Sequence, residues 1–149
     1  SWSNDMRKGF KYYSDFDNEL EAFPNTEVDF IGRMPDGMQF NNIRVHAPMT
    51  ATKIGKFLRT CHGYLAFSEF ETCSNALLEA ISCGLQVIYL DSGSNQEFAM
   101  PFGVEFQGSF ASALTTLQEG YPERLKESIE NPFDIADVAN RYAQILRQV

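Results

Sequence analysis

Two carboxylates, Glu71 and Glu79, sit with seven residues between them in the stretch EFETCSNALLEAISCG, from Glu69 to Gly84. Small polar residues follow the first, and an apolar-periodic run contains the second. Thr72 or Ser74 can cap a helix here, and Gly84 can end it. The first N–H groups of such a helix have no partner inside it and carry the positive end of its dipole. The stretch therefore offers an anion site that needs no basic residue. At about 100° per residue, Ala76, Leu77, Ala80, Ile81 and Gly84 form the inward arc, with Glu79 and Asn75 opposite. Spacing alone thus makes Glu79 a solvated carboxylate and Glu71 an ordinary partner of the dipole.

The elements that must position these groups alternate along the chain. Glu27 to Gly32, Ile43 to His46, Tyr64 to Phe67, Gln86 to Leu90 and Val104 to Phe106 are short β-branched or aromatic runs. Each is bounded by Gly, Pro, Asn or Asp. Between them, Ile54, Phe57, Leu58 and Cys61 place one apolar stripe on a helix from Thr50 to Cys61. A second such pattern predicts a C-terminal helix from Phe133 to Val149, with Pro132 and Asp134 near its start. Strands alternating with helices predict a doubly wound, Rossmann-like α/β fold: a parallel sheet with helices on both faces. Ligands then sit beyond the carboxyl ends of the strands. That directs attention to Gly32-Arg33, Ala47-Pro48, Ser68 to Asn75 and Asp91 to Glu97.

Composition narrows the ligand. The 149 residues, 44% hydrophobic, suit one domain over 1–149 with one sizeable core. Twelve basic against twenty acidic residues give a net charge of −8, which disfavours nucleic acid and anionic membranes. A phosphate ligand must be held locally, by backbone N–H groups and a few cations. No apolar run approaches the ~20 residues that span a bilayer. The start, SWSNDMRKGF, has no apolar export signal and begins with Ser rather than Met, as an excised or processed piece would. Cys61, Cys73 and Cys83 match no compact metal-ligand spacing and are expected to be small, buried, reduced thiols of a cytoplasmic protein.

Glu71 and Glu79 run on into AISCGLQVIYLDSGSNQE, and MRKGF lies near the start. In this strand–helix–strand context the Glu-x7-Glu pattern resembles the C-terminal donor-binding domain of GT-B glycosyltransferases, in particular retaining family 4. The resemblance covers nearly the whole chain. It implies that Glu79 accepts hydrogen bonds from a nucleotide's ribose hydroxyls and that Glu71, the catalytic carboxylate, faces the donor sugar. It also implies that the N–H groups of Cys73, Ser74 and Asn75 hold the diphosphate while Lys8 neutralises it. These roles suit the groups, since carboxylates are acceptor-only and N–H groups and Lys suit phosphate oxygens. Neither a metal nor a separate cofactor is then required, because cation and dipole take its place.

Departures from the pattern are specific. The family's Arg, six residues before Lys8, is here Trp2, with Ser3 and Asn4 standing beside it to contact the nucleotide-sugar instead. TCSNALL replaces the commoner Gly-Phe-Gly type between the glutamates, while Gln96-Glu97 ends its loop as the family does. The partners implied are a nucleotide-sugar and an N-terminal acceptor domain absent from this sequence, through which alone any peripheral membrane association would come. The resemblance places Ser1 at the end of the first strand, which is central in the 3-2-1-4-5-6 order. Either the sheet tolerates a short central strand or residues outside the chain complete it.

The function implied is transfer of a sugar, with retention, from a nucleoside-diphosphate-sugar. The alternatives are a nucleotide-sugar epimerase of the same fold and a non-catalytic nucleotide-sugar-binding module. A receiver-type signalling domain would need an Asp after a central strand and a Lys after the last. Ser68-Glu69 and Gln107-Gly108 stand there instead. Of the remaining candidates, His46 reads as a plain strand-end residue, His62 as closing a helix and Arg33 as a rim salt bridge.

Overall fold

All five expected strands form, shifted or trimmed by one or two residues. The computed structural model describes residues 5–127 and, beyond them, residues 136, 140, 143 and 144, which are helical. Most of the C-terminal helix expected over 133–149 thus lies outside the described residues, as do Trp2, Ser3 and Asn4. A 3-10 turn at Met6–Lys8 leads into α1 (Phe10–Glu19), followed by β1 (Asp29–Ile31) and β2 (Arg44–His46). Then come α2 (Ala51–Leu58), β3 (Gly63–Ala66), α3 (Asn75–Ser82), β4 (Gln86–Tyr89), α4 (Asn95–Ala99), β5 (Gly103–Glu105) and α5 (Phe110–Glu127).

The sheet departs from the single doubly wound sheet expected. β1 and β2 pair in parallel as one sheet, and β3, β4 and β5 pair in parallel as another, in that order. All four residues of β4 are buried, so it is the central strand of its sheet. Helix α1 fixes the relative direction of the two sheets. Its first turn follows Gly9, which lies against the carboxyl end of β3 at Phe67. Its last turn carries Asp17, which binds the amino end of β2. The five strands therefore point the same way, with a break between β1 and β3.

Asp17 makes the strongest of these ties. It is 2% exposed, and its carboxylate accepts from the backbone N–H groups of Asn41, Asn42 and Ile43 at 2.7, 2.8 and 2.7 Å. A buried carboxylate needs donors in place of water, and here three backbone N–H groups supply them. Asn42 returns a bond from its side-chain amide to the Asp17 carbonyl. Around this tie the main core is aromatic: Phe10, Phe16, Phe30, Phe67 and Phe110 are all buried in it. Phe16 and Phe110 stack at 4.5 Å, joining α1 to α5.

Neither α1 nor α5 was among the individually predicted helices. In α5, Phe110, Ala113, Leu114 and Leu117 do follow a helical stripe, and three of them are buried. In α1 the buried face includes a carboxylate, which interrupts the apolar signal. A second core, built from Leu77 and Ile81 of α3 with Val87, Tyr89 and Phe102, covers the other face of β4.

Candidate functional site

Three chain segments meet beyond the carboxyl end of β3, and backbone contacts hold them. The Glu69 N–H donates to the Arg7 carbonyl at 2.7 Å, tying Asp5–Gly9 to the loop after β3. Ser94 donates to the Glu71 carbonyl from its N–H at 2.9 Å and from its hydroxyl at 3.2 Å. The buried Asn95 amide donates to the carbonyls of Ser68 and Leu90. Two glycines permit the approach. A Cβ on Gly9 would lie 2.2 Å from the Phe67 carbonyl oxygen, and one on Gly93 would lie 2.2 Å from that of Glu71. Both have left-handed φ, +83° and +59°, which glycine adopts without steric cost. Phe70 also takes a left-handed φ of 55°, held where its N–H donates to the Ser92 hydroxyl.

This frame brings Lys8 and Glu71 together as an ion pair between Nζ and Oε2. The two lie far apart in sequence, and only the joined segments place them side by side. Both line a cavity of about 1290 Å³, together with Cys73, Ser74, Asn75 and Glu79. The Ser74 hydroxyl caps α3, accepting from the Leu77 N–H at 3.3 Å, and Gly84 follows its end with φ 84°. Among the described residues, the N–H groups of Cys73, Ser74, Asn75 and Ala76 have no hydrogen-bond partner. Glu79 is exposed, as its position on the wheel predicts, yet it still faces this cavity. Six of the eight residues singled out by sequence therefore converge; Ser3 and Asn4 lie outside the described residues.

Several expectations need correcting. Leu77, Ala80 and Ile81 are buried as the wheel requires, but Ala76 is exposed in the first turn of α3, where it lines the cavity. The cysteines are not buried: Cys73 is exposed in the loop before α3, and Cys61 and Cys83 are half-buried after helix ends. His62 does not close a helix, because α2 ends at Leu58; its ring lies against Tyr121. Arg33 is exposed and makes no salt bridge among the described residues. Gln96 and Glu97 are exposed on α4 and do not line the cavity.

A cluster that sequence reading missed lies on the same cavity, at β1 and β2. Asp29 accepts from Arg44 Nε and Nη2 at 2.9 Å each, and His46 Nε2 lies 2.7 Å from its Oδ1. In-register parallel pairing of Asp29 with Arg44 would have signalled this, had the register been known. The Arg44 guanidinium, and after it His46, hold the Asp29 carboxyl below its ordinary value against the opposing effect of burial. Stability from the pair is thus present above the unfolded carboxyl's pKa and is lost as pH falls through the lowered value. The His46 ring also meets that of Phe57 in an edge-type contact, with centroids 5.4 Å apart.

No protein-family model matches the chain, and no curated protein matches it. A solved structure does: a chain of the crystal structure described as the GtfA/B complex superposes with a TM-score of 0.70 at 17% identity. The match covers 99% of this chain and 35% of that one, so this chain spans about a third of its neighbour's length. At that identity the likeness is one of fold. The shared fold is an α/β arrangement of parallel strands and helices. Among the described residues, no helix is long and apolar enough to cross a membrane. Nor do three His, Cys, Asp or Glu side chains group there to hold a metal ion.

Proposed function

We propose that this chain is the donor-binding domain of a glycosyltransferase, taking up a nucleoside-diphosphate-sugar at the cavity beyond β3. One observation carries the reading. Unpartnered N–H groups at the start of α3, the Lys8 ammonium and two carboxylates face a single cavity. Anion donors and hydroxyl acceptors side by side fit a ligand that is part diphosphate and part sugar.

The roles follow from the groups. The N–H groups of Cys73, Ser74 and Asn75 hold the diphosphate, where the α3 dipole favours negative charge. Lys8 has three donors. One serves Glu71, and the others turn to phosphate oxygens as the sugar–phosphate bond breaks and charge builds on the leaving diphosphate. Glu79 accepts from the ribose hydroxyls. Glu71, steadied by Lys8, faces the donor sugar, which is transferred with retention. The acceptor arrives on a second domain, whose closure excludes water from the anomeric carbon. The setting is cytoplasmic, where nucleotide-sugars are the donors.

The test is a thermal-shift screen of the 149 residues against UDP, GDP, ADP and their sugars. A ligand at a hundred times its Kd stabilises the native state by about 2.7 kcal/mol, enough to identify the base. If none of them raises Tm, the reading is wrong. With the best ligand, Glu79→Gln is expected to weaken binding by about 1.5–3 kcal/mol in a calorimetric titration, the range of a charged hydrogen bond. Unchanged affinity would return Glu79 to a solvated surface role. Lys8→Ala is expected to weaken nucleoside diphosphate binding by about tenfold, roughly 1.4 kcal/mol, and to leave nucleoside binding unaltered. Equal effects on both would remove Lys8 from the phosphate site.

A further inference from the structure

The loop after β3 carries a strained residue that takes no part in the donor cavity. Ser68, Glu71 and Cys73 line that cavity, whereas Glu69, Phe70 and Thr72 do not. Phe70 is the most exposed of the large apolar side chains among the described residues, at 76%. It is also the one residue other than glycine among them with a positive φ, 55°. A bulky residue is an outlier in that region, where glycine sits freely.

Main-chain bonds hold the strain in place. The Glu69 N–H is bound to the Arg7 carbonyl, the Phe70 N–H to the Ser92 hydroxyl at 2.9 Å, and the Glu71 carbonyl to Ser94. Three successive residues are thus fixed, and none of these bonds uses the Phe70 ring. The fold gains nothing from a phenylalanine here, because the ring stays in water and its backbone is strained. Strain that the fold does not use points to a ligand that does.

The surroundings select the ligand. In the adjoining turn both cations are engaged, Lys8 with Glu71 and Arg7 with Asp5. With Glu69 beside the ring and a net charge of −8, an anionic ligand is disfavoured. A protein partner calls for a contiguous apolar patch of about 300 Å² or more, and Phe70 stands instead between Glu69, Glu71 and Thr72. A neutral ligand with an apolar face and a rim of hydroxyls suits both features. A sugar ring is such a ligand. Its polarised C–H groups lie on the negative face of an aromatic ring, and its hydroxyls donate to carboxylates.

We infer that Phe70 is a stacking platform for a saccharide acceptor, holding a neutral sugar ring at the edge of the donor cavity. The inference rests on the proposed function, in which the next residue, Glu71, faces the donor sugar. Adjacent residues of one loop then serve the two substrates. Phe70 determines specificity for the acceptor and has no part in binding the nucleotide.

The test titrates the chain, carrying isotope-labelled phenylalanine, with the methyl β-glycosides of glucose, galactose and N-acetylglucosamine. The readout is the NMR signal of the Phe70 ring, followed with and without the best-binding nucleoside diphosphate. At least one glycoside is expected to shift that signal to saturation. Phe70→Gly is expected to weaken its binding by about fivefold, the loss of one aromatic stack, and Phe70→Trp to retain it. Phe70→Gly is also expected to melt no lower than the parent chain and to leave nucleoside diphosphate affinity unchanged, since glycine accepts the backbone without strain. If that variant fails to fold, Phe70→Asn takes its place. A chain that binds nucleotide while no glycoside moves the Phe70 signal would overturn the inference and leave the donor reading standing. Equal losses of glycoside and nucleotide in Phe70→Gly would overturn it too, by assigning the ring to the donor. Glycoside binding at Phe70 in a chain that binds no nucleoside diphosphate would overturn the donor reading and the acceptor role together.

Discussion

Replacing Gly93 by alanine is expected to destabilise the chain by about 2–5 kcal/mol and to abolish nucleoside diphosphate binding. Two costs combine. The new Cβ would lie 2.2 Å from the Glu71 carbonyl oxygen and 2.7 Å from its nitrogen, both backbone atoms that cannot rotate away. Forcing an extra carbon into such a contact costs about 1–3 kcal/mol, and the left-handed backbone adds about 1–2 kcal/mol for a residue with a Cβ. Relief comes only if the Ser92–Ser94 turn parts from the Glu71 loop, breaking both bonds that Ser94 makes to the Glu71 carbonyl. Glu71 then leaves Lys8, and the donor pocket loses its shape. Gly37→Ala is the control. Its φ is also left-handed, +77°, but nothing lies within 4 Å of a Cβ there, so only the conformational cost of about 1–2 kcal/mol remains. Urea melts of the two variants, with a titration of the nucleotide, measure the difference. Equal midpoints would mean that the Glu71 contact does not position the site.

Asp17→Ala is expected to cost about 3–5 kcal/mol. Truncation leaves the N–H groups of Asn41, Asn42 and Ile43 without their acceptor, and a buried orphaned donor costs about 1–3 kcal/mol. Asp17→Asn is expected to lose roughly half as much. Its remaining oxygen can still accept from Asn42 and Ile43, as Oδ1 does now, while the new NH₂ faces the Asn41 N–H. The loss should also loosen β2 before the rest of the chain, since Ile43 leads directly into Arg44–His46. Denaturant midpoints give the energies, and amide exchange along β1 and β2 gives the order. If Asp17→Ala and Asp17→Asn melt alike, hydrogen bonding to the loop is not what Asp17 contributes.

These two cases show what a sequence does and does not make legible here. Strand and helix periodicity is local, so β1 to β5, α2 and α3 could be read from a few consecutive residues. The Ser74 cap and the closing Gly84 were equally local and hold in the structure. Asp17 was not legible, because its partners lie 24 to 26 residues away and a buried carboxylate looks like a surface one in a string of letters. Gly9 and Gly93 likewise acquire their meaning from backbone that arrives from elsewhere in the chain. At the candidate site, the six described residues were picked out by a family resemblance; periodicity alone had put Glu79 in solvent. The structure adds that Glu79 is exposed and lines the cavity as well. The pairing of Lys8 with Glu71 needed both ends of the frame in place. The divided sheet was visible only as a question about the first strand.

The frame beyond β3 is tied together largely by main chain: Arg7 to Glu69, Glu71 to Ser94, Gly9 on Phe67 and Gly93 on Glu71. Such ties are indifferent to most side chains. Arg7, Phe70, Thr72 and Cys73 can therefore be exchanged with little effect on where the backbone runs, while the two glycines cannot. Heritable change in this region is partitioned accordingly. A lineage can revise which ligand the rim prefers, one exposed side chain at a time, and inherit the scaffold beneath it intact.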